Sequence, residues 1–404
     1  MQRFWAGENL NNLLTKSIDE LLVLYPKQNA KNLIRRIQEY NQKGITMEKP
    51  RNNTEKSEGK LTTTWESITK NAEGEAEIHT LHRYEYGGKG GITIQPVESA
   101  IITPDRRKPP KRDHKLIFVW GDAQIGYRRI DDELMPIHDE SAINAALLLA
   151  RDLQPNVVVD LGDTTDFAEL SRFSPDSDHF QGTLQPSLQR THELFAQFTA
   201  VTPGADRVSV WSNHVKRLSD HILKNAPALY NIKAANEKYP AMSYPGLLKL
   251  DQIGWDYADG YPGEYQYAKD LAFMHGTFAV SSGSTANKLS KANYGRNVVQ
   301  GHKHSVERQY HTDRDGRALG AFVVGALCRI DGVVPSYHNS VGVDNQPVKH
   351  YENWQQSVMV VEDYGDGIYN FKDVLIRDGK LFYDGKEYDG NVWTAIYWTW
   401  QRSW

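Results

Sequence analysis

An α/β fold is predicted, on three observations. From residue 113 onward, short apolar runs alternate with amphipathic segments of helical period. Each run is followed by a side chain able to bind a cation, and in open α/β sheets the chemistry sits at the carboxyl ends of strands. The composition is that of a globular protein, with 39% hydrophobic and 24% charged residues. At 404 residues the chain has room for about two or three domains. Its net charge of -4 argues against a generic polyanion binder. That figure hides an asymmetry, because residues 1–115 carry 20 Lys+Arg against 15 Asp+Glu and the remainder 27 against 36. An acidic body is what carboxylates gathered around cations would give.

In chain order, "SIDELLVLYPKQNAKNLIRRIQEYNQKG" reads as two short helices, the first opened by the capping-box pair Ser17 and Glu20. Leu21, Leu22 and Leu24 would face Leu33, Ile34 and Ile37, with Lys31, Arg35 and Arg36 outward. This segment, 1–45, is helix-turn-helix-like, and either contact with nucleic acid or a helical cap with a solvated basic face fits it. Residues 46–112 read as a linker with a β-hairpin over about 63–86, turning at "NAEGE". "GGKGG" at 87–91 lacks the Gly-Lys-Ser/Thr ending of a phosphate loop and reads as a flexible turn. "TPDRRKPPKRDHK" is a basic, proline-interrupted connector into a core over 113–330.

Within the core, strands are expected at 116–121, 156–162 and 207–212 and in "LAFMHG" and "NVVQGH". Helices are expected at 139–153, 185–201 and 217–228. Beyond 331 comes a β-rich C-terminal extension, punctuated by Asp-Gly turns at Asp378-Gly379 and Asp384-Gly385, with Asp315-Gly316 earlier. The aromatic tail "NVWTAIYWTWQRSW" could stack bases or pack on its own core or a second subunit. Cys328 stands alone, which excludes an internal disulfide and cysteine-based zinc sites and suits a reducing compartment. No apolar run reaches the ~18 residues of a membrane span, and the start lacks a signal-peptide core, so no membrane partner is expected. The expected setting is cytoplasmic, in a host cell if the gene is phage-borne.

The strand ends offer Asp122 and Gln124 in "GDAQIG", Asp163 in "LGDTTDF", Asn213 and His214 in "WSNHVKRL", His275 in "MHGT", and His302 and His304 in "GHKH". Taken in order, these resemble the calcineurin-like metallophosphoesterases, whose pattern is D-x-H, G-D, G-N-H-D/E, H and G-H-x-H. The resemblance covers about 113–325. It implies a two-layer β-sandwich flanked by helices, with a two-metal centre at the sheets' carboxyl edges. Carried over, Asp122, Gln124, Asp163 and His304 would hold one metal, and Asp163, Asn213, His275 and His302 the other, with Asp163 bridging. Two such ions clamp a phosphate and share a hydroxide, so no side-chain nucleophile is required. His214 would protonate the leaving group. Arg172, Lys216 and Arg217 are candidates for holding phosphate oxygens.

The sequence departs from the family pattern at three places. Gln124 stands where a histidine is usual, and an amide oxygen favours Mn²⁺, with Mg²⁺ possible, over zinc. Val215 replaces the usual Asp or Glu, which bears on the orientation of His214. Ser212 replaces a glycine. Asp166, three residues after Asp163, could reach back to orient a ligand. His114, His138, His179, His192 and His221 lie outside the pattern and read as surface or structural residues.

The helical front, the D-x-Q variant, "GALCRIDGVVPS" and "NWQQSVMVVE" look similar to metallophosphoesterases carried by bacteriophages and prophages. The resulting expectation is a Mn²⁺-dependent phosphodiesterase or nuclease on nucleic acid or nucleotides. A phosphomonoesterase acting on a small metabolite or phosphoprotein is the alternative, as is a catalytically silent binding module of the same fold.

Overall fold

In the computed structural model, the residues described are 60–70, 76–85, 102, 111–130, 133–171, 178–260, 262–280, 283–332 and 351–392. The expected helices of 1–45, the "GGKGG" turn, Arg172 and the aromatic residues after 392 lie outside them. The chain divides into two compact units, 1–93 and 94–404. In the first, β1 (Lys60–Lys70) and β2 (Ala76–Glu85) pair antiparallel, as the alternation around "NAEGE" requires.

The second unit holds two large sheets. The larger has eight strands. One half is parallel: β3 (Lys115–Trp120), β6 (Val157–Asp160), β7 (Asp206–Val210) and, at the edge, β8 (Asp256–Ala258). Its other half is antiparallel: β14 (Gln356–Asp363), β15 (Tyr369–Arg377), β16 (Lys380–Tyr383) and β17 (Lys386–Asp389). The smaller sheet has five strands in the order β12 (Glu307–Thr312), β13 (Ala318–Val323), β11 (Asn297–Gln300), β10 (Leu271–Met274) and β9 (Glu264–Ala268). β4 (Tyr127–Ile130) and β5 (Glu133–Pro136) form a separate hairpin.

The segmentation expected after 330 does not divide the fold. β14 pairs antiparallel with β3, so the C-terminal strands complete the central sheet rather than extend from it. Pairing also explains why "QSVMVVED" is buried along almost its whole length: a strand covered on both faces cannot afford the polar-out alternation of an edge.

Alternation within β3 shows how the layers are built. Ile117 and Val119 pack toward the smaller sheet with Val157, Val159, Phe273, Val299 and Phe322. Leu116, Phe118 and Trp120 point the other way, into a cluster with α1 (Glu140–Leu153), α2 (Leu184–Val201) and α3 (Asn213–Asn225). On the outer face of the smaller sheet α4 (Thr285–Ala292) buries Leu289 against Met274, Val298 and Ala321. This is an α/β architecture with two sheets packed face to face and helices on both outer sides. The sequence placed α3 at 217–228, but it starts at Asn213, directly after the Ser212 cap. That shift carries Asn213 and His214 onto a helix N-terminus.

Candidate metal centre

Every expected ligand follows the carboxyl end of a parallel strand: Asp122 and Gln124 after β3, Asp163 after β6, Asn213 after β7, His275 after β10, and His302 and His304 after β11. Register brings the ends level. Trp120 pairs with Asp160 and Asp160 with Ser209 in one sheet, and Met274 pairs with Gln300 in the other.

The backbone there is strained in a consistent way. Asp122, Gln124, Asp163, His302 and His304 all have positive φ, between 45° and 70°. A left-handed conformation costs an ordinary residue about 1–2 kcal/mol, and such outliers persist only where surrounding structure over-determines them. The two histidines of "GHKH" are therefore not presented on one side of an extended strand. They diverge from two left-handed turns. Gly301 has a clear reason: a Cβ there would lie 2.6 Å from Asp122 Oδ2.

One group of side chains converges on His275. Its Nδ1 donates to the Leu161 carbonyl (2.9 Å), which leaves Nε2 as the lone-pair nitrogen. Nε2 then faces Asn213 Oδ1 at 2.6 Å, His302 Nδ1 at 3.1 Å and Asp163 Oδ2 at 3.2 Å. Asp163, His275 and His302 each offer a ligand atom within 4.8 Å of the others. With Asn213 Oδ1 facing inward and the His302 proton on Nε2, this is a meeting of acceptors around a neutral imidazole, and a positive charge at its centre would satisfy all four groups. In the ion-free protein a proton fills that need. Burial disfavours it, but Asp163 outweighs burial and raises the His275 pKa to about 9. Asp163 is likewise held well below the usual carboxylate range, since His214, His275 and His302 outweigh its burial. His302 is pushed down to about 4 by burial and by the charge on His275. A divalent cation would replace the proton with the same four groups as ligands.

A second group surrounds His304, whose Nε2 lies 3.0 Å from Asp122 Oδ1 and 3.1 Å from the Gln124 amide nitrogen. Gln124 Oε1 is buried with no hydrogen-bond partner. Turning the amide end over points that oxygen, a hard ligand atom, at the Asp122–His304 pair. Trp354 packs edge-on against the His304 ring, with centroids 4.3 Å apart. The two groups are stitched by backbone: His302 N donates to Asp122 Oδ2 (2.9 Å) and Gln124 N to the Asp163 carbonyl (3.0 Å).

His214 is buried, and its backbone N–H donates to Asp163 Oδ1 (3.0 Å). Its Nε2 accepts from Arg217 Nη2 (2.7 Å), while Arg217 Nη1 donates to the Asp166 carbonyl (2.8 Å). Burial holds the His214 pKa well below the ordinary imidazole range, against the pull of Asp163. The ring is thus neutral and its proton sits on Nδ1, 3.4 Å from Asp166 Oδ1. Of the expected phosphate contacts, Arg217 is turned inward onto this histidine. Lys216 pairs instead with Asp220 one turn along the exposed face of α3, at 2.6 Å, because an i,i+4 carboxylate is its nearest partner.

Sequence reasoning missed Asp160. Fully buried, it accepts from Gly162 N (3.0 Å), Thr164 Oγ1 (2.8 Å) and Ser209 Oγ (2.7 Å), bracing the turn that presents Asp163. Burial pushes its pKa up to about 6 despite those donors. The signal was present as an acidic residue ending the otherwise apolar run "NVVVD". Asp166 is also fully buried, with burial raising its pKa to about 7 against Arg217. Of the histidines outside the pattern, His192 is buried and bonds the Leu248 carbonyl, and His138 is buried between Gly126 and Glu140.

No family model matches the chain. It is 28% identical over 190 residues to the Gene 54 protein of Mycobacterium phage D29, a match that covers 45% of this chain and 70% of the phage protein. These relatives are phage proteins. The Gene 54 protein of Mycobacterium phage L5 is 27% identical over 191 residues, with the same shares covered. The phage character expected from the sequence accords with both. Among the described residues no helix is long and apolar enough to cross a membrane.

Proposed function

We propose that the chain is a divalent-metal-dependent phosphodiesterase that acts on nucleic acid or nucleotide diesters. The observation that supports this most is the inward-facing acceptor set at His275, where Nε2, Asp163, Asn213 and His302 surround a point that calls for a cation. Asp163, Asn213, His275 and His302 would hold one ion, and Asp122, Gln124 and His304 a second, with Asp163 shared. Four oxygen donors beside three imidazoles favour Mn²⁺, with Mg²⁺ possible. Ions so held supply Lewis-acid polarisation of a phosphoryl oxygen and activation of water at neutral pH.

The chain's own residues would do the rest. Asp166 sits at the Nδ1 side of His214 and would keep the proton there, orienting the ring. Nε2 is then a lone-pair nitrogen that would have to take up a proton before His214 could give one to a leaving group, and Arg217 would exchange its bond to Nε2 for one to a phosphate oxygen. Buried carboxylates at the site make a bare anion unwelcome, so substrate binding would follow loading of the ions.

The test is turnover of bis-p-nitrophenyl phosphate and of p-nitrophenyl phosphate, each with and without Mn²⁺. Diester hydrolysis that needs Mn²⁺ and disappears in Asp163→Ala is the expected result. Turnover of the monoester alone would move the assignment to a phosphomonoesterase. Turnover of neither, with Mn²⁺ bound, would leave a binding module.

A further inference from the structure

The smaller sheet carries a surface that the metal centre does not use. Between Asp270 and Glu307 the sequence contains no acidic residue, yet it holds Lys288, Lys291, Arg296 and Lys303. That is a local charge of +4 within a chain of net charge -4. Arg296 is spent on Glu264, at 2.6 Å. Among the described residues, Lys288, Lys291 and Lys303 take part in no ion pair. The fold places this run at one spot: α4 is the crossover between β10, which His275 follows, and β11, which His302 and His304 follow.

Burial divides α4 sharply. Thr285, Ala286, Leu289 and Ser290 face the sheet, and Asn287, Lys288, Lys291 and Ala292 face outward. Lys288 Nζ lies 4.4 Å from the centroid of the Phe278 ring. The Phe278 carbonyl accepts from Gln300, the last residue of β11, so Lys288 stands close to the edge where His302 begins. Beyond Lys291, Tyr294 is 59% exposed and stacks on His311 of β12, with centroids 4.9 Å apart and planes at 25°. Ser290 Oγ bonds His311 Nδ1 (2.8 Å) and fixes that platform to the helix.

We infer that the outer face of α4, from Lys288 through Lys291 to Tyr294, binds a single strand of nucleic acid as it leads to the metal centre. Two ammonium groups one helical turn apart, neither in an ion pair among the described residues, suit successive phosphates, and an exposed ring held by a second ring suits an unpaired base. A polyanion is called for by the charge, and the tyrosine platform distinguishes a single strand from a purely anionic protein surface. The inference rests on the phosphodiesterase reading for its direction toward the site, though its binding step can be measured alone.

The test is binding of a fluorescein-labelled 20-nucleotide single-stranded DNA, followed by anisotropy across a salt series, alongside Mn²⁺-dependent hydrolysis of bis-p-nitrophenyl phosphate. For Lys288→Ala/Lys291→Ala we expect affinity to fall about tenfold and the slope of log K on log salt to shrink by roughly 1.4, two phosphate contacts at ~0.7 each. Tyr294→Ala should weaken binding several-fold with the slope unchanged. Hydrolysis of the small diester should match the parent in all variants, which also reports that they are folded. Parent-like DNA binding by the double variant overturns the inference, and so does diester hydrolysis by a parent protein that binds no oligonucleotide. In that last case the phosphodiesterase reading survives. Absence of diester turnover with DNA binding that depends on Lys288 and Lys291 would instead remove the enzymatic reading and keep the surface.

Discussion

At the scale of single residues, the site depends on atoms that have no slack. A Cβ at position 301 would stand 2.6 Å from Asp122 Oδ2, and the neighbouring Leu161 side chain, 3.2 Å away, blocks retreat. Gly301→Ala should therefore cost about 1–3 kcal/mol in stability. Because Asp122 also receives the His302 N–H, Mn²⁺ affinity measured by calorimetry should drop by about 10–100-fold. Unchanged Mn²⁺ binding would show that Asp122 is not a ligand. Gln124 gives a prediction of opposite sign. Introducing an imidazole with Gln124→His should raise zinc affinity relative to manganese, read by competition against a chromogenic chelator. Each of these candidate positions was legible in the sequence as an Asp, Asn, Gln or His that follows an apolar run. Their left-handed backbone was not, since nothing in "GDAQ" or "GHKH" apart from glycine marks a positive φ. Nor was the inward turn of Arg217, which is set by the His214 ring it meets in space.

At the scale of elements, the sequence marked β3, β6, β7, β10, β11, α1 and α2 to within a residue or two, because buried runs and the Asp139 cap are local signals, and it did not mark the less buried β4, β5, β8 and β9. Two of the three Asp-Gly turns take the tight hairpin form: Asp378, Gly379, Asp384 and Gly385 all have positive φ, whereas at Asp315-Gly316 only the glycine does. What ties elements together was hidden. Arg190 of α2 makes two bonds to Glu140 at the start of α1, at 2.7 and 2.8 Å, and His138 adds a third at 2.9 Å. Burial pushes the Glu140 carboxyl up, but Arg190 and His138 together hold it well below its usual range. A depressed carboxylate contributes stability that is present above its unfolded pKa, about 4.3, and is lost as pH falls toward the folded value. The Glu140 side chain is 43% exposed, so water screens the pair and about 1 kcal/mol is the appropriate scale. Melting temperature followed from pH 7 to pH 3 should fall more steeply in the parent than in Glu140→Gln. Parallel curves would mean that the α1–α2 link contributes nothing through charge.

At the scale of the 94–404 unit, the question is why a stable protein would bury so many carboxylates in one place. Asp122, Asp160, Asp163 and Asp166 are all at most 2% exposed, with Asp160 ending β6 and the other three following β3 or β6 of the same sheet. Their counter-charges come from His275 and Arg217 and from Arg128, which is itself buried. Burial raises the Asp160 and Asp166 pKa values to about 6 and about 7, so protons on these two carboxyls relieve part of the crowding of negative charge. Such an arrangement sacrifices stability unless a dication is bound to the folded state. Adding Mn²⁺ at about 100 times its Kd should then stabilise by about 2.7 kcal/mol, or roughly 5 °C in melting temperature for a unit of this size. The gain should shrink as pH falls from 7.5 to 5.5, because the cation competes with protons for the same ligands. Differential scanning fluorimetry of protein stripped with EDTA and then reloaded measures both effects, and Asp163→Ala supplies the control that should lose them. A melting temperature indifferent to Mn²⁺ at pH 7.5 would mean that protons, not metal ions, are what these carboxylates are built to hold.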